Sequence, residues 1–269
     1  MTLSTLVNSR AVTVQEQGSF LQTWNLPWFS STLQRKSPER TRQQMYTYEG
    51  RTWKDEADIS ALGIHPIAGV DEVGRGALLG PVLVAAVSFP PETSVVGLAD
   101  SKKLSQKRRE ALYQEIMEKA LSVSFVTATN TIIDEVNIYQ ATKKCVLTAI
   151  ANMSVSPEFV FVDGLFDFDG SSEVPLICVP GGDGAHIYDE TGKRKKLSGH
   201  HFPSIAAASI VAKVTRDRMM VEYSKLYPEY GLESNKGYGT KAHMEALHKY
   251  GPCDIHRFSF APVQAARRG

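Results

Sequence analysis

The sequence predicts an α/β fold, a mixed β-sheet flanked by helices. Two observations carry this: short β-branched apolar runs recur between Ile67 and Val179, and after an initial pair of them they alternate with stretches of helical period. The 269 residues are enough to bury a full core and suggest one or two domains.

Each element has its own signal. Residues 1–60 are rich in Ser, Thr, Gln and Arg and hold all three tryptophans (Trp24, Trp28, Trp53), yet show no sustained periodicity, so a poorly ordered N-terminal extension is expected there. Ile67–Asp71 and Val82–Phe89 read as strands joined by a Gly-Arg-Gly turn, a hairpin with a wide loop. Ser105–Leu121 carries Leu112, Ile116 and Ala120 on one face, a helix capped by the Ser105 hydroxyl. Ser122–Thr129 alternates as a strand, and Ile132–Met153 reads as one helix ending before Pro157. Glu158–Gly164 is a strand closing on Asp163, and Val174–Val179 a short strand running into Pro180-Gly181-Gly182-Asp183. A long helix is expected over Ser204–Leu226, stopped by Pro228, and a final one over about Thr240–Tyr250.

Composition narrows the function classes. A net charge of +1 creates no overall field toward nucleic acid, so any basic footprint must be local. Three scattered cysteines (Cys145, Cys178, Cys253) without a C-x-x-C pair argue against a zinc site or a disulfide framework and fit a reducing, cytoplasmic setting. No apolar run approaches the roughly 18 residues of a membrane span. The N-terminus lacks the apolar core of a secretory signal, while its scarcity of acids is compatible with a transit peptide.

The chemistry concentrates at strand ends. Asp71-Glu72 closes the first strand and runs into Gly74-Arg75-Gly76. Paired carboxylates are costly to bury unless neutralised, and a divalent cation is the usual answer. The glycines let backbone approach a ligand, and the guanidinium suits a phosphate. A dinucleotide fingerprint is excluded, because Pro81 and Val82–Val87 continue as a strand where that motif needs a helix. Asp163 and Asp183 follow two further strands. Ligands of open α/β sheets bind beyond strand ends. Four converging carboxylates would repel unless they held two divalent cations about 3.5–4 Å apart.

These residues sit in a series of motifs: G-V-D-E-V-G-R-G at 69–76, D-S-K-K-L at 100–104, F-V-D-G at 161–164 and I-A-A-A-S-I-V-A-K-V-T-R-D at 205–217. N-K-G-Y-G-T at 235–240, His243, and H-R-F-S-F-A-P at 256–262 complete it. In that order they resemble the ribonuclease HII family, the type 2 ribonucleases H, over residues 65–265. The resemblance implies an RNase H-like catalytic domain over 61–230 and a small helical C-terminal region, 231–269, completing the substrate site. It implies an endonuclease that cleaves the RNA strand of RNA–DNA hybrids and incises 5′ of single ribonucleotides in duplex DNA, leaving a 3′-hydroxyl and a 5′-phosphate. Ribonucleotide excision repair and DNA replication are the expected settings, with no membrane association, a monomeric state and no particular protein partner implied.

Carried over by position, the resemblance assigns Asp71, Glu72, Asp163 and Asp183 as catalytic metal ligands for two Mg2+ or Mn2+ ions. Asp183 lies 22 positions before Ile205, farther than the family pattern, because of an insertion over 184–203 holding Asp189 and Lys193-Arg194-Lys195-Lys196. The fourth ligand is therefore Asp183 or, if the insertion shifts the role, Asp189. A ribose 2′-hydroxyl, the local mark of RNA, would be met by the backbone of Gly74, Arg75 and Gly76 and by Tyr238 between its glycines. Lys102 and Lys103, with Lys107, Arg108 and Arg109, are candidates for phosphate contact or for a solvated helix face. Lys213 and Arg216 are expected to face the site, Asp217 to pair with an arginine, and His243 and His256 to support the C-terminal region. Two alternatives stay open: a type 3 ribonuclease H cutting long hybrids only, and a hybrid-binding module without chemistry.

Overall fold

The computed structural model describes residues 47–48, 51–52, 56–98, 101, 104–168, 170–182, 187–188, 194–195 and 202–268. β1 (Thr47–Tyr48) and β2 (Arg51–Thr52) form a small antiparallel pair, followed by α1 (Glu56–Ser60). The main elements are β3 (Ile67–Val73), β4 (Val82–Ser88), α2 (Gln106–Lys119), β5 (Ser122–Ala128), α3 (Asn130–Val136), α4 (Ile138–Ala151), β6 (Phe159–Asp163) and β7 (Leu176–Val179). After β8 (Ile187–Tyr188) and β9 (Arg194–Lys195) come α5 (Pro203–Leu226), α6 (Leu232–Asn235), α7 (Lys241–Tyr250) and α8 (Ala261–Arg268).

The central sheet has five strands in the order β5-β4-β3-β6-β7. β3, β4 and β5 pair antiparallel, as the wide hairpin predicts, and β3-β6-β7 pair parallel, so the sheet is mixed. Every residue of β4 is buried because both of its faces are covered. On one face Val70, Val84, Val126 and Val162 pack with Ala141, Cys145 and Ala149 of α4. On the other, Leu83, Ala85 and Val87 pack against Leu112 and Ile116 of α2 and Ala207, Ile210 and Val211 of α5. Gly69 decides how closely α5 lies on β3: a Cβ there would sit 2.1 Å from the Ile205 nitrogen.

Elements with purely local signals form as those signals predict. The Ser105 hydroxyl accepts the Arg108 N–H and caps α2. The single helix expected over 132–153 is two: Asn137 adopts φ 70°, breaks the run, and its side chain caps α4 by accepting the Gln140 N–H at 3.0 Å. α8 lies beyond the expected final helix. α1, just before the compositional boundary near residue 60, packs on the core. Ile59 of α1 is fully buried with Phe161, Phe202 and Ile205, and Glu56 accepts both the N–H and the hydroxyl of Ser204, at 3.1 and 2.7 Å, at the start of α5.

Candidate active site

Sheet register brings the first two carboxylates together. β3 and β6 run parallel with Ala68 opposite Val160 and Val70 opposite Val162, so Asp71 and Asp163 stand side by side where that pairing stops; β3 itself continues two residues beyond the expected end at Asp71, to Val73. Asp71 is only 6% exposed, and one of its oxygens accepts the Glu72 N–H at 2.7 Å. Asp163 is held from the other side: its Oδ1 accepts the N–H groups of Gly181 and Gly182, at 2.6 and 3.0 Å, from the turn that follows β7. Glu72 bonds the guanidinium of Arg75 at 3.1 Å, and that guanidinium lies over the Phe166 ring. Among the described residues no three His, Cys, Asp or Glu side chains gather closely enough to hold a metal ion. Asp183, the expected fourth carboxylate, and its alternative Asp189 lie outside the described residues, as do Lys102 and Lys103. An all-oxygen donor set at a nearly buried strand end fits a hard divalent cation, not zinc or copper.

The second half of the site is made of turns. The chain leaves β3 through Gly74-Arg75-Gly76, and Ala77 then forms an isolated bridge with Tyr238, with the Leu78 N–H donating to the Gly237 carbonyl at 2.8 Å. The Gly-Arg-Gly and Gly-Tyr-Gly turns are therefore physically joined. Gly237 has φ 84° and would place a Cβ 2.4 Å from the Leu79 oxygen, so no other residue lets the two segments approach. Tyr238 is half-buried, with the Arg216 guanidinium 5.5 Å from its ring centre.

Two fully buried arginines hold these turns. Arg216 of α5 donates to the carbonyls of Pro81, Lys236 and Leu79, and Arg257 donates to those of Gly80, Arg75 and Gly74. Burial drives both guanidinium pKa values down, that of Arg257 to about 9 with the charge of Arg216 as the second cause. At about 9, Arg257 stays protonated near neutral pH. Arg216, expected from its motif to face the site, instead braces the site from behind. Arg257 passed as one letter of a motif. The available signal for Arg216 was its position, four and seven residues after the buried Ala212 and Ser209, on the apolar stripe of a helix.

A histidine pair extends the bracing. His256 Nδ1 accepts the Cys253 N–H at 3.0 Å, which places its proton on Nε2, facing His243 Nε2 at 3.3 Å. His243 is then protonated on Nδ1 and donates to the Tyr238 carbonyl at 3.0 Å. Both imidazoles are fully buried, and burial pushes their pKa values down, that of His256 to about 4 with the neighbouring His243 contributing. α3 fastens the same region to the sheet domain. Asn130 donates to the carbonyls of Asp254 and His256, and the Asp134 carboxylate accepts the N–H groups of Phe258 and Ser259, each at 2.8 Å. Neither α3 residue was singled out from the sequence, where each reads as ordinary helix-surface polarity.

The basic residues around α2 divide. Arg108 donates to the Val96 carbonyl at 2.7 Å and Arg109 to the Ser101 carbonyl at 2.9 Å, so both tie down the loop before the helix, while Lys107 is exposed. Ser101 is anchored to Ser209 of α5 at 3.0 Å, fixing the described start of D-S-K-K-L. Asp217 pairs with Lys213 at 2.7 Å rather than with an arginine; the i, i+4 spacing on α5 makes that the nearest cation. In the insertion, β8 and β9 pair antiparallel, with Tyr188 opposite Arg194.

Known proteins match this architecture. A family model described as Ribonuclease HII matches residues 68–263. The chain is 48% identical to the ribonuclease HII of Bacillus subtilis (strain 168) over 205 residues, which is 76% of this chain and 73% of that one. It is 39% identical to the ribonuclease HII of Bacillus thuringiensis (strain Al Hakam) over 253 residues, 94% of this chain and 88% of the relative, so much of the segment before residue 61 has a counterpart there. The fold resembles the crystal structure of the ribonuclease H2 from Pyrococcus horikoshii OT3 (TM-score 0.62, 22% identity, 76% of this chain and 98% of that one). It also resembles Bst-RNase HIII in complex with Mn2+ (TM-score 0.58, 18% identity, 82% of this chain and 75% of that one).

Proposed function

The chain belongs to the ribonuclease HII family and is a ribonuclease H enzyme, and from that premise we propose that it incises duplex DNA 5′ of single embedded ribonucleotides as well as cutting the RNA strand of hybrids. The products are a 3′-hydroxyl and a 5′-phosphate. The observation that carries this reading is a continuity: the strand that carries Asp71, beside Asp163, passes after Val73 directly into the Gly-Arg-Gly turn, and that turn is paired with the Tyr238 turn. A place for phosphoryl chemistry and a place for ribose recognition are thereby linked through a few residues of one segment.

Asp71, Glu72 and Asp163, with Asp183, would hold two divalent cations, Mg2+ or Mn2+; a fold neighbour is in complex with Mn2+. Such ions, when bound, activate a water and stabilise the leaving 3′-oxygen. The chain itself supplies orientation. Gly181 and Gly182 fix one oxygen of Asp163, and Arg75 is held beside Glu72, where its guanidinium can meet a phosphate. The backbone of Gly74–Gly76 and the ring of Tyr238 would contact the ribose, and Lys102 and Lys103 neighbouring phosphates. The enzyme is expected to act as a monomer in the cytoplasm, removing ribonucleotides from DNA in repair and replication.

The test is a cleavage assay on duplex DNA carrying one ribonucleotide, with Mg2+ or Mn2+ and with chelator. Metal-dependent incision on the 5′ side, with the stated termini, is expected. Cleavage of long hybrids alone, or activity that survives exhaustive chelation, refutes the reading.

A further inference from the structure

Arg216 and Arg257 present an oddity: two fully buried cations with no carboxylate at ion-pair distance among the described residues. All six of their hydrogen bonds end on backbone carbonyls of the Gly74–Pro81 segment or of Lys236. Burying a guanidinium this way is expensive, and a loop could be closed by neutral groups at lower cost. What the charge and its fork do here follows from peptide geometry. In a trans peptide the carbonyl and the N–H of one unit point in opposite directions. Arg257 draws in the carbonyls of Gly74 and Arg75, at 2.7 and 2.8 Å. The N–H groups that share those two peptide units belong to Arg75 and Gly76, and neither donates to any acceptor among the described residues. Gly76 is exposed, and a Cβ built on it meets nothing within 4 Å, so open space lies beside these donors.

We propose that Arg257 is a positioning residue for ribose recognition, whose fork turns the Arg75 and Gly76 N–H groups outward as a pair of donors to the 2′-oxygen. The inference rests on the proposed reading of the Gly-Arg-Gly turn and adds the residue that sets its donor geometry. A 2′-hydroxyl accepts such hydrogen bonds and a deoxyribose offers nothing to accept them. Arg257 Nε also binds the Gly80 carbonyl at 3.0 Å, so one side chain holds both ends of the turn. Lysine cannot replace it, because an ammonium on a flexible stem lacks the planar fork. The backbone carrying Arg257 is itself fixed by Asn130, which donates to the His256 carbonyl at 3.0 Å.

Three measurements on the full-length enzyme test this, for wild type, Arg257→Lys and Asn130→Ala. They are kcat/KM on a duplex with one ribonucleotide, the inhibition constant of an all-DNA duplex of the same sequence, and Tm. Arg257→Lys should lower kcat/KM by at least about tenfold, the scale of a lost hydrogen bond to a charged group. Its inhibition constant for all-DNA duplex should stay within about twofold, because phosphate contacts are unaffected. Asn130→Ala should shift the same ratio in the same direction by a smaller factor. A folded Arg257→Lys enzyme with unchanged kcat/KM, or one that loses both affinities equally, overturns the proposal. If Arg257→Lys does not fold, an unchanged ratio in Asn130→Ala overturns it. A wild type that cuts long hybrids but ignores a single ribonucleotide overturns the substrate reading itself, a result visible without either variant.

Discussion

The two halves of the site are positioned by different means. Asp71 and Asp163 are placed by sheet register: backbone ladders between neighbouring strands set their separation whatever side chains they carry. The Gly-Arg-Gly and Gly-Tyr-Gly turns have no such ladder beyond the single bridge of Ala77 to Tyr238. Their shape is imposed by side chains outside the turns: Arg216 and Arg257 reach them from far along the chain, His243 from five residues on, and Asn130 fixes the backbone beside Arg257. A residue of the first half can therefore change its chemistry without moving the structure. In the second half, residues that touch no substrate still set the geometry.

Four substitutions would break or sharpen this contrast. The largest effect is expected from Asp71→Asn, which removes a carboxylate while leaving the ladder intact. Turnover should fall by about 10³-fold or more if the group holds a cation. Tm should hold or rise, because a nearly buried charge is neutralised. A large fall in Tm would mean that the carboxylate is structural. Next comes Tyr238→Ala, which should lower cleavage at a lone ribonucleotide by roughly tenfold more than cleavage of a long hybrid, as a ribose contact on the scale of a hydrogen bond, ~0.5–1.5 kcal/mol, is lost. A long hybrid supplies neighbouring riboses and the lone one does not. Equal losses on both substrates would assign the ring to packing.

Asp134→Ala probes the fastening of the turns and should cost about 0.5–1.5 kcal/mol in urea unfolding, since the part-buried Phe258 N–H and the exposed Ser259 N–H lose their acceptor. An unchanged midpoint would show that the clasp is dispensable. The smallest effect concerns pH. His256 is held neutral, with its pKa lowered to about 4 from an ordinary value near 6.5. The unfolded chain therefore binds the extra proton, and the stability contributed by the pair is lost as pH falls from about 6.5 toward 4. His256→Asn keeps an acceptor for the Cys253 N–H but cannot titrate. Its Tm should fall less than that of wild type between pH 7 and pH 5; parallel curves would exclude the imidazole as the source.

Part of this contrast is legible in the amino-acid sequence. Asp71 and Asp163 can be read as strand-end carboxylates because strand periodicity is local, and a run of apolar residues that ends in acid says so by itself. The Ser105 cap and the α5 span are of the same kind. The break at Asn137 is not legible, since Ile132–Met153 keeps helical period across it and only the φ of 70° reveals the second start. Arg108 and Arg109 read as phosphate ligands or as a solvated helix face because charge on a helix start has both uses; in the fold they take a third, donating to the carbonyls of Val96 and Ser101.

The sequence by itself determined the α/β class, the strand and helix content of the core, and the chemical types available at its strand ends. These follow from periodicity and local propensity, which act over a few residues. Tertiary structure alone decided which strands are neighbours, that Asp71 meets Asp163, and that Arg257 reaches back 183 positions to the Gly74 carbonyl. Such contacts depend on where the chain returns in space. A buried arginine bonding only to carbonyls leaves no complementary residue in the sequence to betray its partner.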